Sequence, residues 1–253
     1  MMELATEIGW LQRALVSRLD ARPSRLLDVG CGSKRHFGLL AEHVTGIDPD
    51  QAALRANPAL SESICADVET VDLGTDAYDA IVCWNVLEHL EDPRYVVAKM
   101  CRALSPGGLL VLAFPNVVSA RGRLTRFTPT SFHRVVLRRL LRGRASEPYP
   151  TKLRRDHHPA HLLDAARAEG LEPIHIRLYE GYYERRVREL HPVLYAVWRS
   201  GTRLLAAATL GRIDTRSDVL MAFQRNPPSP RQRQAQRSPA TNVTFHRSTR
   251  IGS

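Results

Sequence analysis

The chain lacks the long uncharged stretches that membrane-spanning proteins carry. No run of about 18 uncharged apolar residues occurs, although hydrophobic types make up 43% of the 253 residues. The N-terminus places Glu3 and Glu7 where a secretory signal would place basic and then apolar residues. The length suits one α/β domain with additions. We therefore expect a globular cytoplasmic protein with a sizeable hydrophobic core.

Cysteine is scarce, and its spacing excludes the common metal and disulfide patterns. No Cys-x-x-Cys pair occurs, and three of the four cysteines lie in or beside predicted strands. We interpret them as small buried side chains in a reducing compartment, and we predict no metal site. The four are Cys31, Cys65, Cys83 and Cys101.

Lysine is nearly absent, so arginine carries the net charge of +10. Residues 119–155 hold ten Arg and one Lys against one acidic residue, and the tail from Asn226 adds five Arg and no acid. By subtraction, the remaining residues sum to about −5. Arginine suits bidentate recognition of phosphate or carboxylate, although part of this bias can reflect codon usage. Residues 119–155, called the basic insert below, favour contact with an anionic acceptor or an anionic surface. A solvated basic face is the alternative interpretation.

Apolar runs alternate with segments of helical periodicity, which predicts a parallel, doubly wound sheet with helices on both faces. The tail from residue 226 is rich in Pro, Gln, Ser and Arg and is predicted to be disordered. The predicted strands are residues 25–30, 43–48, 63–66, 78–84, 109–114, 173–179 and 218–224. The predicted helices are residues 3–20, 36–42, 51–56, 93–104, 159–169 and one or two within 185–210.

Two glycines follow the first predicted strand and mark a turn that can approach a ligand. Asp28 precedes Gly30 and Gly32, and a helix N-terminus is expected shortly afterwards. A dinucleotide fingerprint requires glycine where Arg35 stands, and a P-loop requires a Gly-Lys-Ser/Thr order that is absent. The turn therefore predicts a different nucleotide-type crevice. An ordinary strand-turn-helix with incidental glycines is the alternative.

Two further acids end the second and third predicted strands. Asp48 can accept hydrogen bonds from both ribose hydroxyls of an adenosine. Asp67 can contact an adenine amino group, and the backbone amide of Val68 can reach the ring. Taken singly, Asp48 is more simply a helix cap and Asp67 a loop acid. Parallel strands share one carboxyl edge, so these acids are expected to meet Asp28 there.

These motifs resemble, in order and spacing, those of the class I S-adenosylmethionine (SAM) dependent methyltransferases, in the branch called type 11. The resemblance covers about residues 24–118 and includes the segments 78–90 and 104–111. It implies a Rossmann-like, seven-stranded, mostly parallel sheet whose last strand is antiparallel. It further implies a methyltransferase domain over residues 1–225, with the basic insert of about 119–156 as a substrate cover, before the tail 226–253.

The resemblance also implies SAM as the cofactor and a role for each matched residue. Lys34 stands where the family has a third glycine, which leaves open how closely the loop wraps the SAM carboxylate. The lysine could instead neutralise that carboxylate. The ribose would contact Asp48, the adenine would contact Asp67 and Val68, and the sulfonium would lie beside Asn85. The methionine end of SAM would contact the residues of the turn, Asp28, Gly30, Cys31 and Gly32.

Methyl transfer needs a base only if the acceptor must lose a proton. His89 follows the fourth predicted strand and is the candidate base, with a structural histidine as the alternative. His157 and His158 follow the basic insert and are further candidates for contact with the acceptor. Both are equally compatible with solvated loop residues.

Three functions remain open. The first is methylation of a small-molecule, lipid or glycan acceptor; the second is RNA methylation, which the basic insert and tail suggest. The chain lacks an Asn/Asp-Pro-Pro-Tyr motif and a recognisable RNA-binding module, so nucleic acid is the weaker expectation. The third is a non-catalytic SAM-binding regulator or membrane-peripheral protein.

Two segments that contain arginine suggest a contact with a membrane. The apolar stretch 192–210 is interrupted by Arg199 and Arg203 and could lie on the inner face of a membrane, or be packed core. Within the insert, Arg134, Arg138 and Arg142 recur at helical spacing, with Arg139 beside them. We expect these four arginines to face an anionic acceptor or a membrane.

Overall fold

The computed structural model describes residues 25–33, 41–127, 152 and 155–226. The predicted helix 3–20, most of the helix 36–42, the arginine stripe at 134–142 and the tail beyond residue 226 lie outside these residues. So does Lys34. The domain boundaries remain predictions.

A seven-stranded sheet organises the described chain. Strands β1 to β5 run parallel, and β7 pairs antiparallel with both β5 and β6. The strand order is β3-β2-β1-β4-β5-β7-β6. The predicted mostly parallel sheet with an antiparallel last strand is confirmed. The strands are β1 Arg25–Val29, β2 His43–Asp48, β3 Glu62–Cys65, β4 Tyr78–Trp84, β5 Leu104–Pro115, β6 Leu171–Tyr179 and β7 Asp218–Arg225.

Helices connect and cover the strands, and their ends follow local capping chemistry. Asp50 caps α1 by accepting from the Ala52 amide at 2.8 Å. The segment predicted as one or two helices over 185–210 is two, because Pro192 cannot continue the preceding helix. The helices are α1 Gln51–Ala56, α2 Pro93–Ala103, α3 Ala120–Phe127, α4 Pro159–Ala168, α5 Tyr182–Leu190 and α6 Pro192–Ala208, with 3₁₀ turns at Leu87–His89 and Arg155–His157.

The core lies on both faces of the sheet because successive strand residues point to opposite sides. Leu27 belongs to a buried cluster with side chains of α2 and α4, whereas Leu26 belongs to a second cluster on the opposite face. Of the four cysteines, all free thiols, three are buried as expected. Cys65 is exposed, because it ends the short edge strand β3.

Residues 105–108 have the sequence Ser-Pro-Gly-Gly, which is typical of a turn, but they lie within strand β5. Tyr78 pairs with Leu104, but Ala80 pairs with Leu109, so β5 carries extra residues opposite β4. This arrangement is a bulge. A Cβ atom on Gly108 would lie 2.8 Å from the Ser105 carbonyl oxygen, so only glycine fits there. The chain bends without breaking the strand.

The turn after β1 is packed against the loop after β4. Gly30 has φ of 66°, and its amide donates to the Ile47 carbonyl at 2.7 Å. A Cβ atom on Gly30 would lie 2.2 Å from Val86 Cγ2. Gly32 also has a positive φ, of 53°, but a Cβ atom there would meet nothing within 4 Å. Glycine is therefore required at position 30 for two reasons: the backbone conformation is left-handed, and the neighbouring Val86 leaves no room for a side chain.

We predict that Gly30→Ala destabilises the protein more than Gly32→Ala. Both variants pay roughly 1–2 kcal/mol for a left-handed non-glycine residue. Gly30→Ala adds an overpacking penalty of about 1–3 kcal/mol against Val86. Urea denaturation of the single variants, Val86→Ala and the double variant Gly30→Ala/Val86→Ala measures that penalty as a coupling free energy. Equal losses for the two alanine variants, with no coupling to Val86, would contradict this packing.

Candidate functional site

The three acids that end β1, β2 and β3 differ in their surroundings. Asp28 is buried, Asp48 is half-buried and Asp67 is exposed. Asp48 Oδ2 accepts from the Gly32 amide at 2.9 Å, and Asp48 Oδ1 accepts from the Asp50 amide at 2.8 Å. Asp48 therefore does not cap α1, which is the role of Asp50. Its carboxylate joins the glycine turn to the start of α1.

Asp28 is held in an unfavourable environment for a carboxylate. Burial, and then the negative charge of Asp48, raise the pKa of Asp28 to about 7. The side chain thus changes charge near neutral pH. A cation bound beside it would favour its ionised form, so this corner of the sheet edge is suited to a positively charged ligand. Burial, followed by these two acids, also raises the pKa of the Cys31 thiol to about 12, which leaves that thiol neutral.

A residue that sequence reasoning missed supports the glycine turn. Asn57 is buried at the C-terminal end of α1, and its Nδ2 atom donates to the Gly32 carbonyl at 3.0 Å. Asn57-Pro58 indicates the end of a helix. That dipeptide gives no sign of a contact with a turn so far back in the chain.

Asp67 and Val68 lie beyond the carboxyl end of β3, beside β2. Asp67 Oδ1 accepts from the Glu69 amide at 2.8 Å, which leaves the carboxylate at the surface in a local turn. Val68 is buried and packs into the same core cluster as Val29 and Ile47. The two residues therefore follow the strand next to Asp48 and lie at the sheet edge that the sequence predicts.

The loop after β4 carries the remaining predicted residues. Asn85 is exposed with φ of 56°, and its amide donates to the Ala113 carbonyl at 2.8 Å. A non-glycine residue in this left-handed conformation is uncommon and is found often at functional positions. His89 ends the following 3₁₀ turn, with its side chain 30% exposed and Nε2 at 4.0 Å from Glu88 Oε1.

A cluster of buried ionisable side chains lies at this edge, and the sequence did not indicate it. Arg121 Nη2 donates to Asp218 Oδ1 at 3.0 Å, and Ser217 Oγ donates to Asp218 Oδ2 at 2.9 Å. Burial and, to a smaller extent, the charge of Asp218 raise the pKa of Glu88 to about 8, although a backbone hydrogen bond and Arg121 oppose the rise. Glu184 and Arg185 from α5 are also buried in this region of the fold. Their sequence positions are far apart, and antiparallel β7 brings Asp218 beside the ends of β5 and β6.

His157 and His158 occupy different environments. His157 is buried in the 3₁₀ turn that precedes α4. His158 caps α4, with its Nδ1 atom accepting from the Ala160 amide at 3.1 Å. Burial, and then His161, lower the pKa of His158. The capping contact requires a neutral Nδ1, so His158 has a structural role whatever else it contacts.

Metal binding and membrane spanning are two further properties that the described residues can be assessed for. Among these residues, no group of three or more His, Cys, Asp or Glu side chains is arranged to hold a metal ion. Within the same ranges, no helix has the length and apolarity needed to cross a membrane.

Comparisons with known proteins agree with the sheet and with the sequence motifs. The family pattern described as "Methyltransferase domain" matches residues 27–112. The ubiquinone biosynthesis O-methyltransferase of Xanthomonas oryzae pv. oryzae (strain PXO99A) is 30% identical over 203 residues, which is 74% of this chain and 73% of that protein. The protein of the same name from Bordetella bronchiseptica is 33% identical over 186 residues, which is 67% of this chain and 70% of that protein.

A solved structure shows the same fold. The S-adenosylmethionine dependent methyltransferase from Mesorhizobium loti superimposes with a TM-score of 0.53 at 18% identity, covering 86% of this chain and 98% of that one. The sheet order, the family match and the extended relatedness to methyltransferases point the same way. The chain belongs to the class I SAM-dependent methyltransferases, and it is an enzyme that uses S-adenosylmethionine.

Proposed function

We propose that this enzyme transfers a methyl group from SAM to an oxygen atom of a small-molecule acceptor. The observation that carries the proposal is the extended similarity to proteins named O-methyltransferases, at 30% identity over 203 residues. The buried polar cluster after β4 and β5 supports it, because buried polar side chains suit contact with an enclosed small molecule better than with a large polymer. Binding of SAM, positioning of the acceptor and removal of a proton are the tasks that the residues must perform.

We assign the SAM site to the edge formed by the ends of β1, β2 and β3. The turn residues Gly30, Cys31 and Gly32, together with Asp28, would face the methionine part, where the acid attracts its ammonium group. Asp48 keeps lone pairs available for the ribose hydroxyls after accepting its two backbone hydrogen bonds. On the same assignment Asp67 and Val68 meet the adenine, and Asn85 lies beside the sulfonium.

SAM affinity is predicted to depend on pH through Asp28. The cationic cofactor favours the ionised carboxylate, so affinity should fall as pH drops below about 7, by at most about tenfold per pH unit. Above that pKa the affinity should level off. Calorimetric titration between pH 5.5 and 8 measures this, and Asp28→Asn should remove the slope. An equal slope in the parent and in Asp28→Asn would show that another group is responsible.

The same titrations test Asp48. Asp48→Ala removes a charged acceptor from the ribose hydroxyls and should weaken SAM binding by about 1.5–3 kcal/mol. Asp50→Ala is the matched control, because it removes a nearby acid that caps α1 without facing the glycine turn. Unchanged affinity in Asp48→Ala would place the ribose elsewhere.

Methyl transfer is an in-line displacement at the sulfonium carbon, and positioning of the acceptor oxygen supplies much of the acceleration. A hydroxyl acceptor must also lose its proton. We propose that His89 is the base that accepts this proton. Its side chain is partly exposed in the loop after β4, and imidazole accepts protons near neutral pH. Glu88 is less suited to this role at pH 7, because its raised pKa keeps it mostly protonated.

Label transfer tests the function. Protein mixed with methyl-labelled SAM should label a small-molecule acceptor, with catechol as a defined probe, in preference to glycan or RNA extracts. His89→Gln should lower the rate about 100-fold while leaving the dissociation constant of SAM unchanged. Label confined to RNA would favour the nucleic-acid alternative. SAM binding with no transfer to any fraction would favour a non-catalytic role.

A peripheral membrane contact is a second proposal, supported by α6. Val193, Val197 and Leu204 share one face of this helix and are 78%, 66% and 72% exposed. Exposed Arg203 lies in the same helix and would favour anionic headgroups. The alternative of a packed helix does not account for this apolar face.

Vesicle flotation tests this contact. The parent should float with vesicles containing phosphatidylglycerol more than with vesicles of phosphatidylcholine alone, and added salt should reduce the difference. Val197→Glu/Leu204→Glu should abolish flotation. Leu124→Glu is the control, since Leu124 is 49% exposed on a different helix. If the double variant floats like the parent, α6 is not the contact.

A further inference from the structure

Arg185 is a buried cation without a counter-ion among the described residues. It lies in the first turns of α5 and is 4% exposed. No described carboxylate approaches its guanidinium within 4.0 Å, and its buried Nη1 atom has no hydrogen-bond partner there. An unpaired buried charge strongly opposes folding. A protein retains such a residue where a ligand completes the pairing.

A second guanidinium presents an unused donor in the same region. Arg121 uses Nη2 to bind Asp218, but its Nη1 atom is buried and has no partner within the described chain. Both arginines are close enough to Tyr179 to influence the pKa of its hydroxyl group. Burial and the negative charge of Asp218 raise the pKa of Tyr179, while Arg185 and Arg121 oppose that rise. The two cations therefore lie at the end of β6, within electrostatic reach of one hydroxyl group.

Neighbouring acids do not neutralise Arg185. Asp218 is occupied by Arg121 and by Ser217 Oγ. Glu180 instead accepts from Arg188 of α5 and Tyr195 of α6. Burial raises the pKa of both Glu88 and Glu184, which disfavours their charged forms. Among the described residues, no acid therefore lies close enough to Arg185 to neutralise its charge.

The location of the cluster fits the acceptor side of the site. Glu88 follows β4 by a few residues, in the same loop as Asn85. Arg121 follows β5, and Asp218 pairs with Pro115 at the end of β5 and with Tyr179 at the end of β6. These are the carboxyl ends of β4 and β5, beside the loop that we assign to the methyl group.

We propose that Arg185, together with Nη1 of Arg121, binds a carboxylate or phosphate group of the acceptor. This inference rests on the proposed function and names its substrate class: a hydroxylated small molecule with an anionic group. Paired guanidinium donors bind either group through charge-assisted hydrogen bonds. The anionic group would anchor the acceptor while its hydroxyl faces the loop after β4.

Binding of simple probes tests the site without knowledge of the natural acceptor. With S-adenosylhomocysteine bound, the parent should bind benzoate or phenyl phosphate at least about tenfold more tightly than neutral benzamide. The preferred probe distinguishes carboxylate from phosphate. Arg185→Gln should bring this ratio close to one. Arg186→Gln is the matched control, because the adjacent Arg186 pairs with Glu189 and should leave the ratio unchanged.

Thermal melting provides a second readout that does not depend on probe affinity. Without an anion, Arg185→Met should melt at or above the parent temperature, because it removes an unpaired buried charge. Benzoate or phenyl phosphate should raise the melting temperature of the parent and of Arg186→Gln, but not of Arg185→Met. A large drop in the melting temperature of Arg185→Met would mean that Arg185 is structural and would overturn the proposal.

The experiments can overturn the proposed anion site and the proposed methyl transfer independently of each other. If the parent binds S-adenosylhomocysteine but binds the three probes equally, the anion site is wrong and the methyltransferase function stands. An anion preference that Arg185→Gln retains would also overturn the role of Arg185. If the probes bind as expected but no label moves from SAM to any acceptor, the anion site stands and the proposed transfer is wrong.

Discussion

The hydrogen bond from the Gly32 amide to the Asp48 carboxylate stabilises the sheet edge that we propose as the SAM site. Gly30 and Gly32 both adopt left-handed conformations, which the chain maintains only if neighbouring groups fix them. The Gly30 amide is fixed by the Ile47 carbonyl, and the Gly32 carbonyl is fixed by the Asn57 amide. Asp48 thus couples the turn after β1 to the end of β2, so the shape of the turn and the position of the second acid depend on each other.

Sequence patterns located most strands and helices because their limits are set by local chemistry. The bounds of β2, β4 and α1 agree with expectation, since each is an apolar or periodic run that ends at a polar, proline or small residue. The bulge over residues 105–108 did not follow from the sequence, because Ser-Pro-Gly-Gly favours a turn equally well. Whether such a segment ends a strand or bends it is decided by pairing with β4, which is a tertiary contact.

The two halves of the site differ in how far sequence can predict them. The residues that we propose for SAM binding follow successive strands, so a local pattern of acid and glycine is enough to place them at one edge. The cluster that we propose for the acceptor side, called the acceptor-side cluster, combines Glu88, Arg121, Arg185 and Asp218. These residues come together because β7 inserts antiparallel between β5 and β6. Their burial follows from that insertion, and burial in turn raises the pKa of Glu88. Neither the periodicity nor the spacing of residues in the sequence predicts tertiary contacts of this kind.

Burial of the acceptor-side cluster has a consequence for the proposed chemistry. Transfer of a methyl group from a sulfonium cation to an ionised oxygen consumes one positive and one negative charge. The charge separation of the reactants is therefore larger than that of the transition state. Water stabilises separated charges, so a site that excludes water opposes the transfer less than solvent does. On the proposed cofactor side, Asp28 would balance the ammonium group of SAM. On the acceptor side, Arg185 and Arg121 would hold the anionic group at a fixed distance from the reacting oxygen, so that its charge anchors the acceptor without competing for the methyl group.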